Sequence, residues 1–175
     1  MGVLIENILD FARGRLGSGI PVQRKLVDDL QQTLRQTLEE IQVAYPQAKF
    51  IDSLEVPAGV YCDPLRISQL LSNLLGNAVT HGSTAEPIVL KAFAEGDEIV
   101  ISLTNQGTPI PPALMPLLFE PFSRSEASQR HEGLGLGLYI AGQIANAHNG
   151  TLSVTSDRET GTCFVARFPA RFMWV

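Results

Sequence analysis

Cysteine and histidine are scarce in this chain. Its two thiols, Cys62 and Cys163, and its three imidazoles, His81, His131 and His148, form no cluster with metal-ligand spacing, so a structural zinc is not expected. So few cysteines fit a reducing compartment. No secretory leader is read at the start and no apolar run is long enough to cross a membrane, so the expected setting is the cytoplasm, whether the parent protein is soluble or membrane-anchored. An excess of basic residues is also missing. The net charge of −5 argues against a surface that coats nucleic acid, and no nucleic-acid partner is expected. Internal repeats and low-complexity tracts are absent.

The 175 residues are 45% apolar and 18% charged, enough to bury the core of one domain and carry a short appendage. The appendage is residues 1–20. Within VLIENILDFARGRL (3–16), Leu4, Ile5, Ile8, Leu9, Ala12 and Leu16 keep helical spacing on one face. GSGIP (17–21) then breaks the helix. The stripe needs a partner, either the chain's own domain or, as the adjacent linker favours, a helical hairpin or dimer bundle.

Residues 21–175 read as one domain. A strand-like start runs into a helix over about 28–44, and short strands follow at 48–55 and 59–63. The clearest helix spans 63–81, with Asp63 as N-cap and Pro64 at the first helical position. Residues 87–96 and 98–105 read as paired strands, ALMPLLFEPF as one or two short helical turns, and 123–132 as a polar loop. A helix over 137–148 and a strand pair at 151–156 and 161–169 complete the chain. This order predicts an α+β fold: a two-layer α/β sandwich, its mixed and mainly antiparallel sheet covered by helices on one face.

Two features ask for a chemical reason. Gln69, Asn73, Asn77 and His81 fall four residues apart and share one helix face. Asparagine is a poor mid-helix residue, because its amide competes with the backbone. The pair fits either a solvated polar face or a site where Asn77 gives a neutral oxygen to Mg²⁺, which takes few protein ligands when phosphates supply the rest. The second feature is GLGLGL (133–138), directly before a helix. It is neither a dinucleotide fingerprint nor a P-loop. Glycines there leave backbone N–H groups open to an anion at the positive end of the helix dipole, and the intervening leucines can anchor the segment in the core.

In series, DPLRISQLLSNLLGNAVTH, NQGTPIP, LLFEPF and GLGLGLYIAGQIANAHNGTLSV closely resemble the ATP-binding catalytic domain of sensor histidine kinases, within the GHKL superfamily. The resemblance covers about residues 21–170. It implies the GHKL ATP-binding fold, ATP and Mg²⁺ as cofactors, and the following roles. Asn73 and Asn77 form the N box as catalytic residues, with Asn77 holding the metal and Asn73 placing phosphates. Asn105 and Gly107 belong to the first glycine box at the adenine. Phe119 and Phe122 belong to the F box. Gly133, Leu134, Gly135, Leu136, Gly137 and Leu138 form the second glycine box. Residues 123–132 are the ATP lid, from which Arg124 or Arg130 reaches a phosphate. LIENILDFARGRL resembles the second helix of a dimerisation hairpin. The implied partners are ATP or ADP, the phosphoacceptor hairpin of the same or a partner chain, a response regulator, and a second copy in a homodimer.

The sequence departs from that family at three places. The adenine-binding aspartate is Asn105 here, which weakens the expected hydrogen bond to adenine. Thr80 and His81 replace the usual lysine or tyrosine after the N box, leaving the γ-phosphate contact open, with His81 kept among the candidate site residues. No histidine begins the acceptor pattern on a hairpin helix. The acceptor is therefore expected before residue 1, the chain reads as a fragment, and Met1 and Gly2 read as cloning residues. The function implied is transfer of the ATP γ-phosphoryl group to a histidine outside the fragment. The alternatives are a degenerate nucleotide-binding signalling module and a GHKL-type ATPase. Asn73 argues against the ATPase, because an amide cannot serve as a general base at neutral pH.

Overall fold

The computed structural model describes residues 2–123 and 134–170. In chain order the elements are α1 (Gly2–Arg15), β1 (Lys25–Val27), α2 (Leu30–Ala44), β2 (Phe50–Glu55), β3 (Val60–Cys62), α3 (Pro64–His81), β4 (Ile88–Glu95), β5 (Glu98–Asn105), a 3₁₀ turn (Met115–Leu117), α4 (Gly137–Ala147), β6 (Thr151–Asp157) and β7 (Gly161–Pro169).

Five strands form one sheet in the order β2-β4-β5-β7-β6. β2 and β4 run parallel, Phe50 opposite Ile88, and the other neighbours are antiparallel. The parallel pair requires a crossover, and β3 with α3 supplies it. β1 and β3 make a separate two-stranded ladder, Leu26 opposite Tyr61. The expected strand at 59–63 thus lies outside the main sheet.

Alternation decides which face is covered. Ile88, Leu90 and Ala92 of β4, Ile101 and Leu103 of β5, and Phe164, Ala166 and Phe168 of β7 are buried. They meet Leu30, Leu34 and Leu38 of α2, Ile67, Leu70, Leu71 and Leu74 of α3, and Ile140 and Ile144 of α4 in one core. This is the two-layer sandwich that the pattern predicts.

The helix ends are specified locally. Asp63 caps α3, its carboxylate accepting from the N–H groups of Leu65 at 3.1 Å and Arg66 at 3.2 Å, and Pro64 needs no acceptor there. The same carboxylate accepts from Gln23 N–H at 2.8 Å, tying the linker to α3. Asp29 caps α2 through Gln32 N–H at 3.0 Å.

α1 does not bury its apolar stripe against its own domain. Leu4, Ile5, Ile8, Leu9 and Leu16 remain exposed. The face turned inward carries Asn7 and Asp10, 7% and 3% exposed, with Phe11 packed at the edge of the core. Among the described residues, no helix is long and apolar enough to cross a membrane.

Candidate functional site

The N box lies on the inner part of α3. Asn73 is 8% exposed, so it does not belong to a solvated face. Its amide Nδ2 is buried without a hydrogen-bond partner among the described residues. A buried orphan donor costs about 1–3 kcal/mol, so the site favours an oxygen that can accept from it. Gly137, the first residue of α4, lies beside it, since a Cβ there would stand 3.8 Å from the Asn73 side chain. The Asn73 side chain therefore lies at the N-terminal end of α4, with its acceptor Oδ1 the polar atom nearest Gly137. The helix dipole there favours an anion, which a turn of the amide would meet with Nδ2. Asn77 is half-buried one turn further along α3, and His81, the last residue of that helix, is exposed.

The glycines act for different reasons. Gly135 adopts φ +69°, and a Cβ on it would lie 2.8 Å from the Ser123 carbonyl oxygen. Only glycine passes there, and the passage brings the start of α4 back against Phe122 and Ser123. Leu136 is buried and anchors the turn in the core, as the sequence suggests. Leu138 is partly buried against the core, whereas Leu134 stays 37% exposed. Gly133 and Arg130, with Arg124 and the rest of 124–133, lie outside the described residues.

At the other end of the site, Asn105 closes β5 with its side chain buried. Its Nδ2 donates to the Gln106 carbonyl at 3.4 Å. The Ser83 N–H donates to that same carbonyl at 2.6 Å, joining the loop after α3 to the loop after β5. Gly107 lies within this joint, where a Cβ would approach the His81 carbonyl oxygen at 3.2 Å. Phe119 stacks edge-on against Phe164, ring centres 6.3 Å apart, and so fastens the F-box segment to the sheet. Phe122 is exposed at φ +60°, an uncommon conformation for a non-glycine residue.

The structure thus brings Asn73 and Gly137 together at the α3–α4 junction, with Asn77 one turn further along α3, and brings Gly107 to the His81 carbonyl beside the end of β5, where Asn105 lies. Sequence reasoning did not find the contacts made by α1. Asn7 Nδ2 donates to Asn73 Oδ1 at 3.4 Å. Phe11 packs edge-on against Phe122 at 4.8 Å and against Tyr139 at 5.9 Å. The available signal was Asn7 and Asp10 at helical spacing with Phe11 beside them.

A sandwich with an amide-bearing helix facing a glycine-led helix N-terminus defines a GHKL-type nucleotide-site architecture. The chain belongs to the family described as histidine kinase-, DNA gyrase B- and HSP90-like ATPase, whose model matches residues 62–171. It is 36% identical over 170 residues to a bacteriophytochrome of Pseudomonas aeruginosa, covering 96% of this chain and 23% of that protein. It is 32% identical over 171 residues to the signal transduction histidine-protein kinase AfsQ2 of Streptomyces coelicolor, covering 95% of this chain and 30% of that protein. Full-length ShkA, solved in complex with AMPPNP, superposes with a TM-score of 0.79 at 26% identity, over 98% of this chain and 36% of that one. The chain is a histidine kinase-like ATPase domain, homologous to the catalytic domains of sensor histidine kinases, and the degenerate-module and GHKL-ATPase alternatives are not favoured. It spans less than a third of the length of those two curated relatives.

Proposed function

We propose that residues 21–175 bind ATP and present its γ-phosphoryl group to a histidine outside this chain, within a two-component signalling pathway. The observation that carries this reading is the buried Asn73 amide beside the N-terminus of α4, whose Nδ2 has no partner among the described residues. An amide N–H there suits a phosphate oxygen and cannot remove a proton from water. An imidazole acceptor needs no such base, because its lone pair attacks phosphorus as the bond to the leaving ADP oxygen breaks. Asn77 and the phosphates would hold Mg²⁺, which supplies charge neutralisation when bound. The open backbone at Gly135 and Gly137 would hold the phosphate chain, and Asn105 with Gly107 would receive adenine. His148 is not an acceptor on this reading. It is buried, and both ring nitrogens are engaged within the domain.

Residues 1–20 are proposed as part of the hairpin that carries the acceptor. The outward stripe of Leu4, Ile5, Ile8 and Leu9 would pair with the remaining hairpin helix and a second copy, and that hairpin would meet a response regulator. Calorimetric titration with ADP and an ATP analogue, with and without Mg²⁺, tests the reading on the wild type and Asn77→Ala. Binding that depends on Mg²⁺ and on Asn77 supports it. No binding under any condition refutes it, and rapid steady-state ATP hydrolysis by the chain would refute the kinase assignment.

A further inference from the structure

α1 reaches three parts of the candidate site at once. Asn7 bonds to the N-box amide of Asn73, and Phe11 lies on both Phe122 of the F-box segment and Tyr139 of α4. Between these contacts the helix is held by a polar clamp. Asp10 accepts from Arg66 Nη1 at 2.6 Å and from Gln69 Nε2 at 2.9 Å. Gln69 Nε2 also reaches Asn7 Oδ1 at 3.3 Å, and its Oε1 accepts from Arg66 Nη1 at 2.7 Å. Arg66, Gln69 and Asn73 lie on one face of α3, so the clamp and the N box are successive turns of the same helix.

We infer that α1 and the nucleotide compete: the docked helix ties up the Asn73 amide through Asn7 and pins Phe122 and Tyr139 through Phe11, so that filling the site loosens α1 and docking α1 weakens nucleotide binding. This rests on the nucleotide site proposed above. At 3.4 Å the Asn7–Asn73 bond is long for an amide pair, and it leaves Asn73 Nδ2 unsatisfied. A phosphate oxygen would satisfy that donor, and an amide turned to meet a ligand would no longer present Oδ1 to Asn7. The coupling is reciprocal by linkage. Because the outward face of α1 is apolar, its release would change how that stripe is presented to other helices, and nucleotide occupancy would thereby reach the hairpin.

The test uses the whole chain and MgADP as the probe. Calorimetry compares the wild type with Asn7→Ala and Phe11→Ala, and hydrogen exchange follows residues 4–15 with and without saturating MgADP. The expected result is that Asn7→Ala binds about three- to tenfold more tightly, the range spanned by one neutral hydrogen bond. Phe11→Ala is expected to shift affinity the same way, and MgADP to speed exchange within α1 of the wild type. Equal or weaker binding by Asn7→Ala, or unchanged or slower exchange in α1, would overturn the competition. If neither wild type nor variants bind MgADP, the nucleotide site itself is refuted and the competition falls with it.

Discussion

His148 Nε2 accepts a hydrogen bond from the backbone N–H of Asp63 at 3.0 Å, joining the end of α4 to the start of α3. Nδ1 lies 2.9 Å from the Ile144 carbonyl, which can only accept, so Nδ1 carries the proton and the ring is neutral. Burial lowers the His148 pKa from its ordinary 6.5. The Ile144 hydrogen bond opposes that shift, nearby Arg24 adds to it, and Asp63 works against it. As pH falls below 6.5, the unfolded chain takes up this proton while the folded one resists, so stability is lost through that window. Thermal unfolding at about pH 7.5 and about pH 5.5 should show the wild type losing stability in acid. His148→Gln should be less stable at the higher pH and should lose less on acidification.

Cys62 is fully buried, and burial, helped by the Asp63 charge, pushes its thiol up to about 12. The thiolate is the reactive form, so Cys62 is inert in the folded protein. Alkylation near neutral pH followed by mass spectrometry should label half-buried Cys163 first. Cys62 should become labelled only when denaturant is added. Native labelling of Cys62 at the rate of Cys163 would mean that the β1–β3 ladder opens readily.

Gly135 and Gly137 should respond oppositely to alanine. At Gly135 a methyl group meets the Ser123 carbonyl in a left-handed conformation, so Gly135→Ala should cost about 1–3 kcal/mol in urea unfolding. At Gly137 the methyl finds ordinary contact with Asn73 and a helical backbone, so stability should hold or rise by up to about 1 kcal/mol. The same methyl would crowd the helix N-terminus, so Gly137→Ala should weaken nucleotide binding in calorimetry.

Asn105→Asp separates affinity from stability. A carboxylate accepts the adenine amino hydrogen bond more strongly than an amide, by about 1 kcal/mol, so ADP affinity should rise roughly fivefold. Because position 105 is buried, the unpaired charge should also lower the melting temperature of the nucleotide-free protein. Unchanged affinity would remove Asn105 from the adenine site.

The local features were the legible ones. The Asp63–Pro64 start of α3, the strand pair around the Gly96–Asp97 turn, and the glycine-led α4 all follow from spacing and capping within a few residues. Of the motif residues, Asn73 and Asn77 lie on α3, Asn105 ends β5, and Gly137 opens α4. What spacing could not show was which surfaces meet. The apolar stripe of α1 called for a partner without saying which, and spacing could not show that the clamp of Asp10 with Arg66 and Gln69 turns the polar face inward and leaves the stripe exposed. Asn73 read as a candidate for a solvated face until its burial between α3 and α4 was seen. The need for Gly135 arises from Ser123, a contact across twelve positions of chain that no local pattern encodes.

The last strand among the described residues is not at the rim of the sheet. β7 lies between β5 and β6, with Ser102 opposite Val165 and Ser153 opposite that same residue. During synthesis, β2, β4 and β5 leave the ribosome as a three-stranded sheet with one raw edge. That edge waits while the F-box segment, the second glycine box and α4 are made. β6 emerges next but has no place to bind until β7 arrives to seat it. The nascent domain thus carries an open strand edge until β7 is made, and chaperone capture or aggregation should concentrate on chains stalled within α4 or β6.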